Sequence, residues 1–220
     1  MRRNTPMKTE LIKFTDLGKF RRYWTGWRIL DLIAKCGGKI LITWPIGVGK
    51  SHNLDDLVET AAHSGRYDLV VALLPTRNVL GERRWIKDPP PNINIVNLRP
   101  RPSKYCSEDA DSQWKIFESQ GMGLLGRARL CLHCSLYSGC FWPHQYGRTL
   151  LGAQVIFATQ VHLERDPTFI TQLLLWTGAK KALIIVDEAN FIAKSMRRRI
   201  NRKHIEQLID ALKGIENAHS

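Results

Sequence analysis

The stretch Lys39-Ile40-Leu41-Ile42-Thr43-Trp44-Pro45-Ile46-Gly47-Val48-Gly49-Lys50-Ser51 carries the reading of this chain. Residues 39–44 are a short apolar run, which predicts a buried strand. Residues 45–49 read as a loop, and Lys50 starts a helical pattern with Leu54, Leu57, Val58 and Ala61 on one face. The loop matches most of the pattern G-x-x-x-x-G-K-[ST]. Small residues let backbone N–H groups curl around a phosphate, and the following helix aims its N-terminus at the negative charge. The lysine reaches the β/γ-phosphates and the hydroxyl holds Mg²⁺. Pro45, Ile46, Gly47, Val48, Gly49, Lys50 and Ser51 are therefore expected to bind ATP, with Ser51 also on Mg²⁺. Trp44 stands where the pattern has its first glycine, to pack on the nucleotide base or to fill the core.

The strand–helix rhythm continues outward in both directions. Residues 21–36 predict a helix with Trp24, Trp27, Leu30, Ile33 and Ala34 on one face, ended by Gly37-Gly38. Cys36 on that helix reads as a small core residue. Residues 69–74, 92–97, 154–159 and 182–187 predict four further strands. Short apolar strands separated by helical stretches argue for α/β architecture with a parallel sheet. The last strand delivers Asp187 and Glu188 to its carboxyl end, where such sheets bind ligands. Asp187 is expected to hold Mg²⁺ through water, and Glu188 to orient and deprotonate the attacking water. Lys50, Asp187 and Glu188 are thus the expected catalytic residues.

The bulk composition bounds the partners. The chain has 220 residues, 44% apolar and 24% charged, as befits a globular protein with a core. Its net charge of +13 points to a polyanion, most simply nucleic acid. No apolar stretch approaches the roughly 20 residues of a membrane span. No signal peptide follows Met1-Arg2-Arg3, so a cytoplasmic setting is expected.

Residues 98–153 break the rhythm. A strand–helix–strand unit takes roughly 30 residues, and this longer interval holds Cys106, Cys131, Cys134 and Cys140, four of the five cysteines. Clustered thiolates in a reducing compartment bind zinc or an iron–sulfur cluster. His133 and His144 offer substitute zinc ligands. Tyr105, Tyr137, Phe141, Trp142 and Tyr146 interleave with Arg127, Arg129 and Arg148. They suit either stacking on single-stranded DNA or a small core around the metal. The run Arg197-Arg198-Arg199 with Arg202-Lys203 reads as a solvated helix face or a phosphate contact.

Several of these segments resemble one known group. Asp187-Glu188-Ala189-Asn190 resembles the DEAD/DEAH box of superfamily-two helicases. Leu74-Pro75-Thr76-Arg77-Asn78-Val79-Leu80 resembles their P-T-R-x-L-A segment, and 152–159 with Leu163 resembles a further strand of theirs. The four cysteines between those segments resemble the cluster insertion of the XPD/DinG iron–sulfur DNA helicases. The resemblance implies a RecA-like domain over 1–97 and 154–195, a cluster insertion over 98–153, and a basic helical extension over 196–220. It implies a [4Fe–4S] cluster on Cys106, Cys131, Cys134 and Cys140, whereas the C-x-x-C spacing alone favours the alternative, Zn²⁺. It implies contact of Thr76 and Arg77 with the backbone of single-stranded or forked DNA, and 5′→3′ movement. Asn190 replaces the usual His or Asp of the box, and no Q-x-x-G-R-x-x-R segment is present. A second RecA-like domain, from further sequence or another chain, is therefore expected for full activity. The alternative expectation is a zinc-stabilised nucleic-acid-binding module with a vestigial nucleotide site; a different P-loop motor is a third.

Overall fold

The computed structural model describes residues 22–43, 49–102 and 106–188. The chain divides into two compact units, Met1–Glu188 and Ala189–Ser220, and the second lies wholly outside the described residues. The basic run 197–203 and Asn190 fall there, as does Tyr105 in the gap at 103–105.

Four parallel strands form the sheet: β1 (Leu69–Leu74), β2 (Ile95–Asn97), β3 (Val155–Thr159) and β4 (Ala182–Val186), in the order β2-β3-β1-β4. This all-parallel arrangement in an α/β chain is consistent with the RecA-like fold expected. β1 lies inside, with Val70 in register with Val155 on one side and with Leu183 on the other. All six β1 residues are buried, as an inner parallel strand requires. Alternate residues feed opposite layers. Val70, Ala72 and Leu74 face a core containing Ile29, Leu30, Leu54, Leu57 and Val58. Leu69, Val71 and Leu73 face a second core containing Trp114, Trp142, Leu150 and Leu173.

The first layer consists of α1 (Gly26–Lys35) and α2 (Lys50–His63). In α2 the expected face of Leu54, Leu57, Val58 and Ala61 is buried. In α1 the buried face is Gly26, Ile29, Leu30 and Ile33, rotated from the expected one. Trp27 is 52% exposed and lies beneath the Arg66 guanidinium. Ala34 is exposed, and Cys36 caps the helix in solvent rather than filling the core. The rotation follows from Gly26, whose N–H bonds Asp56 Oδ2 at 2.5 Å and whose missing side chain admits α2. A Cβ there would stand 2.7 Å from the Asp56 carbonyl oxygen.

The expected strand over 39–44 is corrected. Residues 39–43 make no ladder among the described residues. Ile40 and Ile42 pack against the first core, whereas Leu41 is 69% exposed. The run has alternating burial rather than burial on both faces, and it lacks a hydrogen-bonded neighbour strand among the described residues.

After β1 come α3 (Arg77–Gly81) and α4 (Arg84–Lys87). The long interval between β2 and β3 holds α5 (Glu108–Ser119), α6 (Gly123–Gly126), a π-helix (Arg127–Cys131) and α7 (Phe141–His144). α8 (Val161–Arg165) and α9 (Phe169–Thr177) lead from β3 to β4. An aromatic ladder joins the interval to the layer carrying α9. Trp114 meets Trp142 edge-on at 5.1 Å, Trp142 meets Tyr146 at 5.5 Å, and Tyr146 meets Trp176 at 5.4 Å.

The close approach at Gly26 makes a prediction. Gly26→Ala should lower unfolding free energy by about 1–3 kcal/mol, because the added methyl meets backbone that cannot swing away. Urea denaturation followed by circular dichroism measures it. An unchanged midpoint would mean that α1 and α2 separate without cost.

Candidate functional site

The carboxyl ends of the strands gather the expected catalytic groups. Gly49 has φ +86°, a conformation that glycine adopts without strain, and it turns the chain into α2. No side chain caps α2 and no acidic residue lies in its first turn. Its first N–H groups therefore present partial positive charge to the loop side. Lys50 is half-buried there and Ser51 is exposed. Pro45, Ile46, Gly47 and Val48, with Trp44, lie outside the described residues.

β4 brings Asp187 to the same neighbourhood. Its N–H donates to the Leu73 carbonyl at 3.0 Å, which continues the pairing with β1. Glu188 then takes φ +53°, an uncommon conformation for a residue with a side chain, and turns the chain sharply. Burial raises the Asp187 carboxyl above its ordinary range, and the Glu188 charge raises it further; Arg83 and Lys50 oppose both. Lys50 and Glu188 are thus each within electrostatic reach of Asp187. Two crowded carboxyls are donor chemistry that Mg²⁺ takes. A bound divalent cation would favour the ionised form of Asp187.

Two further residues organise this site. Arg83 is 3% exposed. Its Nη1 donates to the Ser51 carbonyl at 3.0 Å, its Nε donates to the Val79 carbonyl at 3.1 Å, and Asp55 stands 3.8 Å away. One guanidinium thereby ties the first turn of α2 to α3. Gln160, 5% exposed, donates through its backbone N–H to the Leu74 carbonyl at 2.9 Å. Its side-chain amide donates to the Asp187 carbonyl, so it joins the ends of β1 and β4. Sequence patterning singles out neither residue. The one available signal is a polar side chain directly after the apolar strand that ends at Thr159.

Thr76 serves the local backbone, since its Oγ1 accepts from the Val79 N–H at 3.4 Å and caps α3. Arg77 is exposed at the start of α3 and borders the cavities at the strand ends. It offers a cation to solvent there, on the cavity side of the strand ends.

The cysteines lie near one another. Burial pushes the Cys131 thiol up to about 11, with further contributions from Cys140, Cys106 and Cys134, while Arg127 opposes. Cys131 ends the π-helix, an arrangement frequent at functional sites. The Cys134 N–H donates to the Cys131 carbonyl at 3.1 Å, and the Cys140 N–H to that of Leu136 at 3.0 Å. Cys106 instead faces Arg101, whose Nη1 is 3.4 Å from its sulfur. Among the described residues no three His, Cys, Asp or Glu side chains stand in a metal-holding arrangement. The thiols share an electrostatic neighbourhood without ligating spacing. As a donor set, four thiols in one neighbourhood fit a cluster or zinc. His144 is engaged elsewhere, its Nε2 2.8 Å from the Tyr137 carbonyl.

The aromatic residues of the interval resolve into two groups. Trp142 and Tyr146 are buried in the ladder, and the Arg127 guanidinium lies 5.2 Å from both Tyr146 and Trp176. Trp142, Tyr146 and Arg127 thus serve the core. Phe141 is 42% exposed, with Arg99 5.7 Å from its ring. Its side remains open to solvent because α7 turns it away from Trp142.

The described residues therefore define an α/β protein with a parallel sheet and a cluster of ionisable residues at the strand ends. Comparison with protein-family models, with curated proteins and with solved structures gave no match. Among the described residues no helix is long and apolar enough to cross a membrane.

His162 supplies a pH prediction. Burial lowers its pKa, its bond to Thr159 opposes, and Arg165 and Arg77 lower it further. The unfolded chain thus binds the proton more tightly. The stability carried by neutral His162 is present above its unfolded value of about 6.5 and is lost as pH falls below it. His162→Gln should flatten the fall in melting temperature between about pH 7 and pH 5 relative to wild type. Parallel slopes for the two proteins would show that His162 binds its proton equally well folded and unfolded.

Proposed function

We propose that this chain is the ATP-binding part of an ATP-dependent DNA helicase of the iron–sulfur type. The observation that carries the reading is that Lys50, the first residue of the uncapped α2, and Glu188 both act electrostatically on the half-buried Asp187. In this reading the phosphates lie on residues 45–51, with Lys50 on the β/γ-phosphates and Mg²⁺ between Ser51 and Asp187. Glu188 orients the attacking water and takes its proton. Arg83 ties Ser51 to α3, the helix that Arg77 begins. The net charge of +13 supports a polyanionic track, and Thr76 and Arg77 lie at the strand ends where that track would run. Cys106, Cys131, Cys134 and Cys140 are the residues that would hold a [4Fe–4S] cluster, which would brace the interval between β2 and β3. A second motor domain completes the machine in this reading, so the chain alone binds ATP better than it hydrolyses it.

A second reading has a specific observation behind it. Residues 39–43 form no ladder among the described residues, which leaves the run leading into the loop without sheet support. This favours a zinc-stabilised nucleic-acid-binding module with a weak nucleotide site.

Thermal melting with Mg²⁺-ATP, combined with anaerobic purification and metal assays, separates the two. ATP at a hundredfold its Kd should add about 2.7 kcal/mol of stability, and Lys50→Ala should abolish the gain. The helicase reading expects about four irons per chain, lost in Cys131→Ser and Cys134→Ser. One zinc and no ATP-dependent shift would select the module instead.

A further inference from the structure

A cavity of about 390 Å³ lies between the carboxyl ends of β1 and β3 and the helices of the cysteine-bearing interval. Its volume is in the range of small-molecule sites. Trp142, Tyr146 and Phe169 give it aromatic walls, and Arg77, Arg101 and Arg165 border it. His162 also lines it, stacked on Phe169 at 5.0 Å. The Nδ1–H of His162 donates to the Thr159 carbonyl at 3.0 Å, which fixes the tautomer of the neutral ring. Nε2 is then a bare acceptor, with no hydrogen-bond partner among the described residues. A second cavity adjoins the first and shares Arg77, Arg101, Thr159 and His162 with it. It adds Arg99 and the exposed Phe141, and it reaches Asn97 at the end of β2. The two form one groove across the ends of three strands.

We infer that this groove binds single-stranded nucleic acid by drawing one unstacked base into the larger cavity. The ligand chemistry follows from the walls. Aromatic faces accept any planar heteroaromatic ring, and the bare Nε2 accepts a hydrogen bond from an exocyclic amino group or ring N–H. A free planar aromatic would use those walls and leave the cations idle. A nucleotide chain uses both, because Arg77 borders the cavity where its flanking phosphates would lie, and Arg99 continues the positive track; Arg165 is held by Glu118 at 3.0 Å. The inference rests on the nucleic-acid part of the proposed function and adds a base-holding site to it. Arg101 is otherwise engaged, its Nη2 2.7 Å from Asp111 Oδ1, and it shapes the cavity by lying 5.2 Å over Trp114.

The test compares two oligonucleotides of equal length and phosphate count on the full chain, by fluorescence anisotropy. One carries bases throughout, and the other carries abasic sites at its centre. The base-bearing strand should bind about tenfold more tightly. His162→Leu should narrow that difference by about threefold or more and leave the abasic affinity unchanged, which also shows that the variant is folded. Photocrosslinking of wild-type protein with a 5-iodouracil strand should label the peptide containing residues 141–146 or that containing His162. Equal binding of the two strands, or crosslinks confined to other surfaces, would overturn the base site while leaving nucleic-acid binding intact. Failure of both strands to bind would remove the site and the nucleic-acid reading together.

Discussion

β1 is hydrogen-bonded on both sides, to β3 and to β4, and the remainder of the described structure depends on that double pairing. Its partners come from distant parts of the chain, so closing the sheet orders long intervening segments, at an entropic cost that only burial can offset. The six apolar residues Leu69–Leu74 supply that burial on both faces. Each fully buried Leu, Val or Ile contributes about 1.5–3 kcal/mol. The parallel direction then brings the carboxyl ends of all four strands to one edge. Thr76, Arg77, Gln160, His162, Asp187 and Glu188 follow those ends in the chain, and their gathering is a consequence of strand direction.

The charged side of the site depends on restraint by neutral and buried partners. Asp187 carries a raised pKa because burial and Glu188 act together against Arg83 and Lys50. Gln160 ties the Asp187 carbonyl to the end of β1 without adding charge. Arg83 does the same for α2 and α3, using hydrogen bonds to carbonyls more than its ion pair with Asp55. A buried guanidinium held by two backbone carbonyls couples segments whose sequences share no pattern. The cysteine-bearing interval follows the same logic on the other face. Its aromatic ladder anchors it to the sheet layer, and the four thiols share an electrostatic neighbourhood in which burial dominates at Cys131.

Strand positions 69–74, 154–159 and 182–187 are legible in the sequence because buried parallel strands read as unbroken apolar runs. The face of α2 is legible for a similar reason, through 3.6-residue periodicity. The face of α1 is not, since Trp27 and Ala34 fit the period but Gly26 sets which side α2 can approach. Residues 39–43 are apolar enough for a strand, yet hydrogen-bond pairing is decided by neighbours that no local pattern reveals. Trp142 and Phe141 are adjacent in sequence and similar in type; only packing separates the buried ring from the exposed one.

The sequence by itself determines the α/β class, the order of the apolar strands and the residue types at their ends. It does so because burial on both faces and turn chemistry leave local signatures. The tertiary structure decides which of those ends meet. It alone brings Lys50 within reach of Asp187, sets Arg83 between Ser51 and Val79, and leaves His162 Nε2 bare beside an aromatic cavity. These are contacts between segments far apart in the chain, and they follow from strand order and layer packing.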